Sequence, residues 1–159
     1  MNTAPAMAQA NTALDLSALS VREANRALQA APEGAFTLLN PGGRHALACG
    51  LDAPISVTIE GHAGYYCAGM NKQAEVTVRG NAGTGVAENI MSGTVRVTGD
   101  ASQSAGATGH GGLVVIEGNA SARCGISMKG VDIVVGGNVG HMSAFMAQAG
   151  NLVVLGDAG

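Results

Sequence analysis

The chain has 159 residues, 25 of them glycine, with 3% aromatic residues, no Trp and a formal net charge of −3. That length is one domain's worth and enough to bury a core. Only 12% of residues are charged and no Lys/Arg run occurs, so nothing attracts a phosphate backbone. No apolar stretch approaches the ~20 residues that cross a bilayer, so no membrane contact is expected. A core without large rings must be filled by Val, Ile, Leu, Met and Ala, and the glycines lack the three-residue period of collagen.

In chain order, residues 1–14 are rich in Ala, Asn and Thr. They have neither the basic region nor the apolar stretch of a secretory signal, so a mobile tail and a cytoplasmic location are expected. Ser20-Val21-Arg22-Glu23 fits a capping box, and Val21, Ala24 and Leu28 follow at helical spacing. This predicts a helix over 21–31, stopped by Pro32. Residues 36–51 read as a degenerate first coil with Phe36, Leu38 and Leu39 as its strand. The unit 15–50 is then a helix capping the open end of whatever residues 51–159 build.

Residues 51–159 build a repeat. Gly61-His62-Ala63-Gly64, Gly80-Asn81-Ala82-Gly83 and Gly99-Asp100-Ala101-Ser102 are followed by Gly118-Asn119-Ala120-Ser121, Gly137-Asn138-Val139-Gly140 and Gly156-Asp157-Ala158-Gly159. Successive leading glycines are always 19 residues apart. Four residues before them stand Val57, Val76, Val95, Val114, Ile133 and Leu152; two before them stand Ile59, Val78, Val97, Ile116, Val135 and Val154. Positions two apart share one face of a strand, so both apolar columns point inward. Small residues six and seven places after each glycine, such as Cys67-Ala68 and Ala105-Gly106, let a second wall lie close to the first. Gly93, Gly111-Gly112 and Gly130 mark a further corner.

This pattern predicts an all-β fold, a right-handed single-stranded parallel β-helix of 19-residue coils with a short N-terminal helix. A left-handed hexapeptide helix would need an apolar residue every six positions around the coil, and Asn71 to Glu75 do not supply it. The chain stops on a turn motif, so either the polypeptide is expected to continue or a partner to cover this end.

The site residues follow from departures within the repeat. Gly80 to Gly85 imitate a dinucleotide fingerprint, but the same glycines recur as turns in every coil. The polar column His62, Asn81, Asp100, Asn119, Asn138 and Asp157 reads as a turn ladder. Asp100 and Asp157 lie three coils apart, roughly 14 Å at the strand spacing, and cannot share an ion. The same separation keeps Cys67 from Cys124. Three cysteines at irregular spacing, Cys49 included, are expected as reduced buried thiols. No catalytic, cofactor-binding or metal-ligating constellation stands out.

Partner or channel contact is assigned to Tyr65, Tyr66, Asn71 and Lys72, which break the small-residue rule of their coil, and to His110 in a glycine-rich loop. It is also assigned to Val115, Val134, Val153 and Leu155, where the outward columns turn from polar to apolar.

The coil run resembles the family of GXGXG-repeat β-helix domains, carried by segments 61–72, 80–93, 99–112 and 140–159. These domains form the C-terminal part of the glutamate synthase large subunit. Within the family the segments are most similar to the β-helix subunit of N-methylglutamate synthase, a methylamine–glutamate N-methyltransferase. The resemblance implies a structural, non-catalytic subunit in a hetero-oligomer with an amidotransferase-like subunit and a flavin-binding synthase subunit. FMN is then expected in the synthase subunit and no cofactor in this chain. Family members are longer than this chain. The runner-up is the similar β-helix subunit of a formylmethanofuran dehydrogenase or formyltransferase/hydrolase-type complex.

Overall fold

A computed structural model describes residues 10–159. Eight strands form one parallel sheet whose order follows the chain: β1 (Asn11–Asp15), β2 (Gly34–Leu39), β3 (Ile55–Ile59), β4 (Glu75–Val78), β5 (Thr94–Val97), β6 (Leu113–Ile116), β7 (Lys129–Val135) and β8 (Ala149–Val154). Each strand pairs in parallel with the next, so the chain must travel once around between neighbours. That is a parallel β-helix, as the repeat predicts.

The register is the one the two apolar columns require. Val57, Val76, Val95, Val114 and Ile133 stack as direct partners, as do Ile59, Val78, Val97, Ile116 and Val135, and all ten are buried. A third inward column, Ala63, Ala82, Ala101 and Ala120, is joined by single parallel bridges at the corner after each strand. Burying each Val or Ile contributes about 1.5–3 kcal/mol, so the stack, not any single coil, carries the stability.

The corner shows why glycine leads it. His62 Nδ1 accepts the Asn81 N–H at 2.9 Å, Asn81 Oδ1 the Asp100 N–H at 2.9 Å, and Asp100 Oδ1 the Asn119 N–H at 2.7 Å. Asn119 and Asn138 continue the ladder to the N–H groups of Asn138 and Asp157 at 2.9 and 2.8 Å. A Cβ on Gly99 or Gly118 would overlap the ladder oxygen of Asn81 or Asp100 in the coil before.

The second wall has a backbone that the repeat does not reveal. Alternate residues sit in the left-handed region, for instance Tyr66, Ala68 and Met70 at φ 60°, 55° and 56°. Their N–H groups alternate in direction: Tyr66 donates to Thr84 O of the next coil at 2.8 Å, Ala68 to Leu47 O of the previous coil at 2.8 Å, and Met70 to Glu88 O at 2.9 Å. A left-handed non-glycine residue costs about 1 kcal/mol or more. Stacking offsets this by giving the N–H groups of Tyr66, Ala68 and Met70 partner carbonyls in the neighbouring coils.

The N-terminal region differs from expectation. Residues 1–9 of the expected tail lie outside the described residues, but its end is the strand β1, paired with β2 from Asn11↔Ala35 to Asp15↔Leu39. The first coil therefore begins before the helix. In β2, Leu38 is buried opposite Ile59, whereas Leu39 points the other way and is half-buried. The helix α1 (Val21–Ala30) replaces the second wall of that first coil. Its capping box forms as predicted, with Glu23 N–H donating to Ser20 Oγ and Ser20 N–H to the Glu23 carboxylate. Ala24 and Leu28 are fully buried. Asn25 and Gln29 finish the backbone of the wall beneath: Asn25 Nδ2 donates to Ala46 O at 2.7 Å, Asn25 Oδ1 accepts the Ala48 N–H at 2.8 Å, and Gln29 Nε2 donates to Cys49 O at 2.8 Å.

Candidate functional site

The expected contact residues do not converge on one site. They fall on three parts of the coil, and one of them is interior.

Tyr65 and Tyr66 are adjacent in sequence but differ in environment. Tyr65 is 59% exposed and stacks on His45 with ring centroids 4.4 Å apart, while its N–H donates to His45 Nδ1 at 2.8 Å. Tyr66 lies half-buried along the outside of the second wall, where its ring occupies the space a Cβ on Gly69 would need. Its hydroxyl accepts from Asn89 Nδ2 at 3.2 Å, and Thr108 Oγ1 donates in turn to Asn89 Oδ1. Lys72 is exposed and pairs with Asp52 at 3.3 Å.

Asn71 corrects the sequence reading. It is fully buried, not a surface group. Nδ2 donates to Ala74 O at 2.8 Å and Ser92 O at 3.2 Å, clamping the second corner in two successive coils. Its Oδ1 has no partner. The inference from a polar residue to the surface fails here because a corner presents bare carbonyls that a short amide can satisfy from inside.

His110 is exposed at the same kind of corner, and its N–H donates to Ile90 O at 2.7 Å. On the far side of the coil, Val115, Val134 and Val153 are direct cross-strand partners along the outer face of the sheet. Val115 and Val134 are half-buried by their neighbours, Val153 is 47% exposed and Leu155 73%. Earlier strands carry ion pairs on this face, Arg79–Glu60 at 2.9 Å and Arg96–Glu117. The stripe is thus a real change of character along one face.

The thiols are free and buried. Burial, with Cys49 nearby, pushes the Cys67 thiol far up; burial pushes Cys124 up to about 12, and Cys49 also rises by burial. Nucleophilic chemistry by these thiols is disfavoured. Among the described residues no three His, Cys, Asp or Glu side chains gather as a metal site, and no helix is long and apolar enough to cross a membrane.

The sequence reading missed a shallow groove along α1, lined by Val21, Arg22, Asn25, Arg26, Gln29 and Ala46. The helical spacing of Val21, Ala24 and Leu28 marks the buried face of α1, whereas the groove that Asn25, Gln29 and Ala46 line exists only in the fold.

No known protein-family model and no solved structure matches the chain. One curated relative, Protein GlxC of Rhizobium meliloti (strain 1021), is 61% identical over 61 residues. That stretch is 36% of this chain and 27% of the relative, so the similarity covers little more than a quarter of that protein.

Proposed function

We propose that this chain is the β-helix subunit of a glutamate synthase-related complex and performs no chemistry by itself. In this reading it holds an amidotransferase-like subunit and a flavin-binding synthase subunit in fixed relation, and FMN belongs to the synthase subunit. The finer form is an N-methylglutamate synthase, in which glutamate and methylamine give N-methylglutamate and ammonia. The observation that carries the reading is the Gly-polar-Ala-Gly corner. The segments that resemble GXGXG domains recur at that corner, each fixed by a ladder hydrogen bond to the next coil. A rigid rod with one repeated corner and different outer faces suits positioning of partners.

The test is purification of the chain alone and together with the two partner subunits. The chain alone should be colourless and inactive, and the complex should carry flavin and turn over. Stoichiometric flavin on the isolated chain, or turnover by it, would overturn the reading.

A further inference from the structure

We infer that the groove along α1 is a docking site for an acidic segment of a partner protein. The inference names the partner chemistry of one face of the proposed subunit and rests on that reading for the partner's identity.

Arg22 and Arg26 stand one helical turn apart on the groove's rim. Among the described residues neither takes part in an ion pair, as is also true of Arg123 and Lys129, whereas Lys72, Arg79 and Arg96 do. Hydrogen bonds from Ser20 hold the Glu23 carboxyl below its ordinary range, and the charge of Arg26 helps to hold it down. Two carboxylates near the helix are already engaged. Glu23 accepts from the Ser20 N–H and hydroxyl, and Asp15 accepts from Ser17 and Asn40. Asn25 and Gln29, which line the same groove, are spent on the wall beneath and hold the helix at a fixed height. Arg44 reaches the start of α1, donating to Leu19 O at 3.2 Å, and its neighbour His45 carries the stacked, exposed Tyr65.

Two guanidinium forks outside any ion pair, on a helix held in place by Asn25 and Gln29 and with a third arginine anchored at its start, match carboxylates on an extended acidic segment. A nucleic acid fits less well. The arginines are few and no Lys/Arg run extends beyond the groove to follow a long phosphate backbone.

The experiment measures fluorescence anisotropy of labelled peptides with the full chain at low salt. The probes are a Glu-rich peptide, a matched Lys-rich peptide and a single-stranded DNA. The expected result is binding of the Glu-rich peptide only, weakened by salt. The double variant Arg22→Glu with Arg26→Glu should bind about tenfold more weakly or worse. Arg123→Glu, on a distant coil, should leave binding unchanged, with circular dichroism confirming the fold of each variant. No binding of the Glu-rich peptide, equal binding by a folded double variant, or equal binding of DNA through the same arginines overturns the inference. An inactive, colourless chain that assembles with its partners yet binds no peptide removes this inference alone. Flavin on the isolated chain removes the subunit reading and leaves the peptide result standing.

Discussion

At the scale of single residues, each position in the coil is set by what the same position in the coil before it leaves free. Gly99 is the clearest case, because the place of its missing Cβ is filled by the Asn81 side-chain oxygen and the Gly80 carbonyl. Gly99→Ala should cost about 1–3 kcal/mol in urea unfolding, as overpacking does. The ladder itself is exposed, so water can replace a lost acceptor: Asn119→Ala should cost only about 0.5–1.5 kcal/mol.

The thiols give a pH prediction. Their folded pKa values are raised by burial, so their contribution to stability is intact below the ordinary thiol range. It is lost as pH rises from there toward the folded value, about 12 for Cys124. Native protein should therefore lose stability at alkaline pH. It should also leave all three thiols unreactive to Ellman's reagent at about pH 8 until it unfolds, and rapid labelling of folded protein would contradict the burial.

At the scale of elements, the strands and the helix do different work. The strands supply columns. Val95→Asp would place a carboxylate between Val76 and Val114, at a position with no exposure, and should cost several kcal/mol. A soluble variant with an unchanged melting temperature would refute the inward column.

The helix supplies an end. Asn25→Ala removes both hydrogen bonds to Ala46 O and Ala48 N and leaves those groups poorly paired, so a loss of about 1–3 kcal/mol is expected. Hydrogen exchange should quicken first at Ala48.

At the scale of the whole molecule, the rod presents distinct outer faces. The outer sheet face turns from ion pairs near β3 to β6 into the stripe of Val115, Val134, Val153 and Leu155. Val134→Lys should change the unfolding free energy by no more than about 0.5 kcal/mol in a denaturant titration, because its side chain points out of the coil. If the stripe is a subunit contact, the same variant should fail to co-purify with its partners in size-exclusion chromatography. Normal assembly by the folded variant would remove that role from the stripe.

The sequence by itself determined the repeat, the strands within it, the inward columns and the capping box. Each of these depends on a strict spacing: 19 residues between corners, two between inward side chains, three within the box. What only the tertiary structure decided are features that depend on a neighbouring coil. β1 pairs although Asn11-Thr12-Ala13 carries no apolar signal, because β2 offers it a bare edge. Asn71 turns inward because the corner carbonyls of Ala74 and Ser92 meet there. The left-handed residues of the second wall, Tyr66 and Met70 among them, are held by hydrogen bonds to the next coil, which no local propensity encodes. Arg22, Arg26 and Arg44 form no cluster in the sequence, and the fold brings Arg44 to the start of α1 through Leu19. Local spacing is written along the chain, whereas a contact between coils exists only once the stack has formed.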